Sequence, residues 1–300
     1  MLHLRPYAGE ADLPAIWDLL LRCQAAGHVD MDVYSTKLRI YLHDPTFDTT
    51  RLTVLVEDEA GALVAFATLW RGTFLMLLVH PNRRGQLERQ LFAWAEQAAT
   101  AIASSRFWAP CRDDDPLGCA LHERGGFVLE DEELRLGRAL DEPMAEPEVP
   151  AGFTIRPLAG AREVQAWNDL YRKAFGPSHA TLLSRHEAVM GDTDYDPALD
   201  LVAVDAEGHL AAMCYCAIPS VEVASAARKE GRTEPIAVSA RYRGRGLGRA
   251  IVLRALHLLR ERGMERAVLT TEVGNHIAHH LYASLGYRLL YTARWYARHL

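Results

Sequence analysis

Leu2-His3-Leu4-Arg5-Pro6-Tyr7-Ala8-Gly9 returns 151 residues later as Phe153-Thr154-Ile155-Arg156-Pro157-Leu158-Ala159-Gly160, with four identities in eight. Each copy alternates as a strand does, is stopped by Pro and Gly, and leads into apolar positions at helical spacing. Three further pairs follow in the same order. Gly61-Ala62-Leu63-Val64-Ala65-Phe66 matches Gly208-His209-Leu210-Ala211-Ala212-Met213, and Leu78-Val79-His80-Pro81-Asn82-Arg83-Arg84-Gly85 matches Ala237-Val238-Ser239-Ala240-Arg241-Tyr242-Arg243-Gly244. Gly125-Gly126-Phe127 then matches Leu285-Gly286-Tyr287. Four ordered matches at long offsets argue for a duplicated α/β domain and against a short-period solenoid. The acidic, proline-rich stretch from Asp141 to Pro150 has almost nothing to bury and reads as a linker between domains at 1–140 and 151–300.

Thirty-three basic residues against thirty-nine acidic ones give a net charge of -6, so no global positive field recruits nucleic acid or an anionic membrane. Any anion must be bound by local geometry. The first residues lack the basic region and apolar run of a signal peptide, and no apolar stretch reaches the length of a membrane span. A cytoplasmic monomer or homodimer is the expectation. Five cysteines, an odd number, suit a reducing compartment. Cys214 and Cys216, in an apolar strand, are expected in the core.

In the second copy, strands are expected near 153–157, 199–205, 209–217, 233–239 and 266–271, with terminal strands near 287–290 and 292–298. Helices are expected over 161–175, 179–190, 247–262 and 275–285. The helix from 247 carries Leu247, Ile251, Ala255, Leu258 and Leu259 on one broad face and ends at Gly263. In the first copy the corresponding long helix is expected over 86–104.

Chemistry concentrates at Arg243-Gly244-Arg245-Gly246-Leu247-Gly248, which follows the strand Pro235-Ile236-Ala237-Val238 and runs into that long helix. Glycines at alternate positions let backbone N–H groups converge without a Cβ in the way, and the helix start adds its own unpaired donors. A diphosphate suits such a turn, with Arg241, Arg243, Arg245 and Arg249 supplying charge. A P-loop would end in Gly-Lys-Ser/Thr, and this segment has Gly248-Arg249-Ala250. A dinucleotide fingerprint would want glycine where Arg249 stands, and Glu265 precedes the next strand instead of closing it.

Arg243-Gly244-Arg245-Gly246-Leu247-Gly248 resembles the coenzyme A pyrophosphate loop of the GNAT superfamily of N-acetyltransferases. Asn275, Ala278, Leu281-Tyr282 and Leu285-Gly286-Tyr287 are similar to the family's second motif. The chain is thus identified as a tandem member, which implies two domains, each a mixed twisted sheet flanked by helices. The resemblance further implies transfer of an acetyl group from acetyl-CoA directly to a primary amine within a ternary complex. It places Ile236, Ala237 and Val238 along the coenzyme, with a backbone N–H near Val238 on the developing oxyanion, and it sets Gly244 to Arg249 around the diphosphate. Tyr282 becomes the acid for the leaving thiolate. Asn275 would bond the pantetheine region, although an N-cap for the following helix explains the same residue. Glu234, four residues before Val238, is the candidate base, as in tandem members that use a glutamate from this strand; an orienting acid is the alternative. A small-molecule amine is the expected acceptor. A protein lysine or N-terminus and a non-catalytic acyl-CoA-binding module are the competing readings.

His276 and His280 share a helical face but lack the intervening glutamate of a zinc-protease motif, so no metal is expected. The run from Gly191 to Pro197 lacks a full calcium loop; Asp194 and Tyr195 are candidates for lining an acceptor pocket, with a solvated turn as the plainer reading. In the first copy the turn reads Arg84-Gly85-Gln86-Leu87-Glu88, so both later glycines are lost and Glu88 brings negative charge where phosphate would sit. Asp115 and His122 hold the positions of Asn275 and Tyr282. Poor coenzyme binding is expected there.

Overall fold

The computed structural model describes residues 2–176, 186–225 and 228–300. Two compact units emerge, one of Met1–Leu134 with Tyr291–Leu300, the other of Arg135–Leu290. Residues 141–150 therefore lie inside the second unit, not between two units cut at 140 and 151. The reason lies in two long strands, Val128–Ala139 and Arg288–His299, which begin in one unit and end in the other. Nothing in Arg288–His299 breaks a strand, so the two expected terminal strands are one.

The first unit contains β1 (His3–Pro6), α1 (Leu13–Ala25), α2 (Ser35–Leu42), α3 (Thr49–Leu52), β2 (Thr53–Glu57), β3 (Leu63–Trp70) and β4 (Phe74–Val79). It continues with α4 (Glu88–Ala101), β5 (Arg106–Arg112), α5 (Pro116–Arg124) and the start of β6 (Val128–Ala139). Strand order is β1-β2-β3-β4-β5-β12, where β12 is Arg288–His299. β12 runs antiparallel to β5 from Ala293↔Arg112 to His299↔Arg106, and its Tyr296 joins Leu69, Leu75, Leu91 and Phe107 in the core.

The second unit contains β7 (Phe153–Pro157), α6 (Val164–Phe175), α7 (His186–Met190), β8 (Asp200–Asp205), β9 (Leu210–Ala217) and α8 (Ser220–Ala224). β10 (Glu230–Val238), α9 (Leu247–Glu261), β11 (Arg266–Glu272) and α10 (His276–Ser284) follow. The helix expected over 179–190 lies partly outside the described residues, and α7 is its described part. Strand order is β6-β11-β10-β9-β8-β7, mixed because β10 and β11 run parallel while β7, β8, β9 and β10 alternate. Leu247, Ile251, Ala255, Leu258 and Leu259 of α9 are all buried, as their spacing requires. All five cysteines are free and buried, Cys214 and Cys216 within β9.

The duplication extends to a clamp between the first strand and first helix. The two terminal guanidinium nitrogens of Arg5 bond Asp12 at 2.9 and 2.7 Å, and the Ala8 N–H donates to the same carboxylate at 2.7 Å. In the second unit Arg156 bonds Glu163 at 2.8 and 2.6 Å, with Ala159 N–H donating at 2.8 Å.

Candidate active site

β10 and β11 pair only at Glu230↔Arg266, Gly231↔Ala267 and Arg232↔Val268. Against β9, the register of β10 shifts between Thr233 and Ile236, which leaves Glu234 and Pro235 as a bulge. A bulge bends the strand that carries it and re-aims its side chains. Beyond it, Ile236, Ala237 and Val238 stay paired to β9 opposite Cys214, Met213 and Ala212, while no partner on β11 continues the ladder. The result is a gap between two parallel strands, flanked by Ile236 to Val238.

Glu234 spans that gap. Its Oε2 accepts from the Thr270 N–H and from the Thr270 hydroxyl, both at 2.9 Å. Its Oε1 accepts from Arg232 Nε at 3.0 Å and also from Arg232 Nη2. A carboxylate offers about four lone-pair positions. All four are occupied, so in this arrangement Glu234 has no acceptor free for an ammonium proton. Neither Arg232 nor Thr270 was suggested by motif or spacing; both depend on strand register.

Tyr282 projects from α10 and is 7% exposed. Burial first, then the Cys214 and Glu234 charges, push its phenol above the ordinary range and keep it protonated at neutral pH. No described residue hydrogen-bonds the Tyr282 hydroxyl, and the hydroxyl is not among the sealed, unpartnered polar atoms. It is a donor without a partner among the described residues. Its ring packs edge-on against Tyr287 at 5.7 Å, and Tyr287 is fixed in turn by a 2.7 Å bond to Thr233.

The turn after β10 has the backbone its glycines suggested. Gly244 has φ 75° and Gly246 φ 86°, values that residues with a Cβ rarely adopt. Gly246 is the N-cap of α9 and offers no side-chain cap, so the N–H groups of Leu247, Gly248 and Arg249 have no side-chain acceptor. Gly248 serves packing, since a Cβ there would meet Leu281 at 3.3 Å and Val238 at 3.5 Å. Arg249 ties α9 to α10 through Ser284 Oγ at 3.0 Å, and Arg243 Nε reaches the Val238 carbonyl at 3.4 Å. Arg241 and Arg245 lie 5.1 and 5.8 Å from the Tyr242 ring. Uncapped donors in a cationic, glycine-bent corner fit a diphosphate.

Asn275 caps α10, its side-chain oxygen accepting from Ala278 N–H at 3.2 Å. The Tyr195 hydroxyl donates to Asp200 at 2.8 Å, and the fully buried His186 ring lies 2.6 Å from the same carboxylate oxygen. Tyr195 also stacks on Tyr215, the β9 residue facing the bulge of β10. Asp194 accepts weakly from Ser220 N–H at 3.3 Å. Among the described residues His276, His279 and His280 form no metal-type cluster; the one group that does gather, Asp205, Glu207 and His209, closes the β8–β9 turn, with Asp205 also held by the Tyr242 hydroxyl at 2.6 Å.

The sequence model of the acetyltransferase (GNAT) family matches residues 164–287. Over nearly the whole length, the chain is 31% identical to a mycothiol acetyltransferase of Salinispora arenicola across 296 residues, covering 95% of this chain and 92% of that protein. The chain belongs to the GNAT acetyltransferase family. A second mycothiol acetyltransferase, from Beutenbergia cavernae, is 32% identical over 273 residues and 86% of each chain. Two solved GNAT structures share the fold from end to end. A GCN5-related N-acetyltransferase from Sphaerobacter thermophilus superposes with a TM-score of 0.74 at 23% identity, covering 99% of this chain and 95% of that one. A tandem GNAT protein from the clavulanic acid biosynthesis pathway also gives 0.74, at 16% identity, covering 100% and 98%. As a tandem GNAT protein, the chain is an acyl-CoA-dependent N-acyltransferase.

Proposed function

We propose that this GNAT protein transfers the acetyl group of acetyl-CoA to a primary amine on a small molecule, by direct attack within a ternary complex in the second unit. The observation that carries the reading is the gap between β10 and β11, with the protonated, unbonded Tyr282 phenol beside it. Acetyl-CoA supplies an activated thioester. The N–H groups of Leu247, Gly248 and Arg249 hold its diphosphate, with Arg243 and Arg245 adding charge, and the unpaired edge of β10 at Ile236, Ala237 and Val238 holds the extended arm. A backbone N–H at Val238 stabilises the oxyanion, and Tyr282 gives its proton to the departing sulfur. The four donors on Glu234 favour a structural part for it: it props the two strands apart, and the acceptor ammonium loses its proton to solvent. Asn275 and Ala278 fix the start of α10 and so the height of Tyr282.

The relatives named as mycothiol acetyltransferases support a small-molecule amine over a protein lysine or N-terminus, since their likeness spans both units. Asp194 and Tyr195 take a part on the acceptor side through the aromatic stack that ends at Tyr215 opposite the bulge. Mass-spectrometric screening of small amines and of lysine-bearing peptides with acetyl-CoA tests the reading. Acetylation of small amines, lost in Gly246→Asp, is the expected result. Modification of peptides alone would overturn the acceptor class, and binding of coenzyme with no thiol release across the library would overturn the reaction.

A further inference from the structure

Cys111, near the end of β5, and Cys119, in α5, bring their sulfurs to 3.7 Å of each other. Both thiols also share one acceptor, the Arg112 carbonyl, at 3.6 Å from Cys111 and 3.4 Å from Cys119. The turn between them prepares this approach. Asp115 caps α5 by accepting the Gly118 N–H at 3.1 Å, and Arg84 fixes that carboxylate through bonds of 3.0 and 2.6 Å. Gly118 then lets the helix lie close to the strand, since a Cβ there would stand 2.8 Å from the Cys111 sulfur.

A third element bears on the pair. Arg294 of β12 is the register partner of Cys111, and its Nη1 reaches the Cys119 sulfur at 3.7 Å while its Nε leans to Glu132 at 3.4 Å. A cation beside sulfur supports the charge of an attacking thiolate. The two thiols thereby differ in their parts. Burial first, then the neighbouring Cys119, pushes the Cys111 thiol above its ordinary range, so Cys111 keeps its proton at neutral pH. Both residues retain some exposure, 5% for Cys111 and 7% for Cys119, whereas Cys23, Cys214 and Cys216 have 0%, 0% and 1%.

We propose that Cys111 and Cys119 are a peroxide-reactive pair that closes to a disulfide between β5 and α5. The Cys119 thiolate attacks one oxygen of hydrogen peroxide; the O–O bond breaks, the sulfur keeps a hydroxyl as sulfenic acid, and hydroxide leaves. The Cys111 sulfur then attacks that of Cys119, the S–O bond breaks, and the Cys111 proton departs with the hydroxide as water. In sum, two thiols and one peroxide give one disulfide and two waters. A bound metal is the other common use of paired thiols, but among the described residues neither cysteine belongs to a gathered set of ligand atoms. Every residue used lies in the first unit, so the inference stands apart from acyl transfer in the second.

The test is to treat the native full-length protein with hydrogen peroxide, alkylate the remaining thiols with iodoacetamide in denaturant and map the peptides by mass spectrometry. The expected product is a Cys111–Cys119 crosslink that dithiothreitol reverses, with two of the five thiols lost and Cys23, Cys214 and Cys216 alkylated. In Cys111→Ser the sulfenic acid has no resolving thiol, and dimedone labelling at Cys119 is expected. In Cys119→Ser, Cys111 is expected to stay reduced. Recovery of all five thiols after peroxide has oxidised free cysteine in the same solution, linkage at another pair, or oxidation of Cys111 in Cys119→Ser would overturn the proposal. The crosslink in the parent protein decides the matter if a variant does not fold.

Discussion

The backbone N–H and the hydroxyl of Thr270 both donate to one oxygen of Glu234, each at 2.9 Å, across the strands whose ladder ends at Arg232↔Val268. A side chain thereby replaces the backbone pairing that β10 and β11 give up. This bridge spans the gap proposed for the coenzyme arm, and Arg232 holds the bridge from the other side.

Glu234→Gln separates a prop from a proton acceptor. Glutamine keeps one oxygen for Thr270 but presents an amide to Arg232, so stability is expected to fall by roughly 1–3 kcal/mol in urea unfolding. Turnover is expected to fall less than about tenfold, with the acid limb of the pH-rate profile retained. Loss of a true general base costs about 10²–10⁴. A drop of that size with the acid limb flattened would make Glu234 the base.

Tyr282→Phe removes the proposed proton donor and little else, since no described residue hydrogen-bonds the hydroxyl. Turnover is expected to drop about 10²-fold while coenzyme affinity stays within about threefold. The pH dependence follows from the raised phenol: the protonated form donates, and burial keeps it protonated beyond the ordinary range near 10. Activity is therefore expected to stay level on the alkaline side up to about pH 10. A decline centred near pH 8 or 9 that disappears in Tyr282→Phe would contradict this.

The repeated clamp gives a prediction about acid stability. Arg5 holds the Asp12 carboxyl below its ordinary range, and Arg156 does the same for Glu163, in each case chiefly through the side-chain hydrogen bonds. A depressed folded pKa contributes stability that is fully present above the unfolded value near 4 and is lost as pH falls through the folded value. Asp12→Asn and Glu163→Gln are each expected to cost about 1 kcal/mol at pH 7, discounted for solvent at these part-exposed pairs. The difference from the parent protein should shrink below about pH 4. Urea unfolding at pH 7 and pH 3 checks both magnitude and sign.

What the sequence disclosed follows from local physics. The buried face of α9 is a matter of helical spacing, and the bent turn is a matter of which residues tolerate positive φ at Gly244 and Gly246. Long-range register was not legible. Thr270 gives no hint that it will meet Glu234, because the meeting depends on where β10 leaves β11. The division of the units near 134 and 290 was equally hidden, since a strand reads the same whichever unit its far end joins. Asp12 and Glu163 lie at the first matched pair's offset of 151 residues, yet a count of identities passes over them because one clamp uses aspartate and the other glutamate. For Asn275 both readings were open, and the side chain lies in the N-cap geometry.

The turn itself makes the sharpest contrast among its glycines. At Gly246, φ 86° is the wrong side of the backbone map for a residue with a Cβ, although the nearest atom to an added Cβ is Pro150 Cγ at 3.7 Å and there is room. Gly246→Ala is expected to cost roughly 1–2 kcal/mol of strain, or to relax by swinging the α9 N–H groups out of convergence. In either case coenzyme affinity falls, by about tenfold or more if the 1.4 kcal/mol that a tenfold change requires is lost from binding. Gly248 has ordinary backbone angles and a crowded site, 3.3 Å from Leu281, so Gly248→Ala acts by pressing α9 away from α10. It should lower turnover through Tyr282 more than it lowers affinity. Calorimetry with coenzyme A and steady-state rates on the two variants separate these effects, and equal losses of affinity in both would show that the two glycines do the same thing.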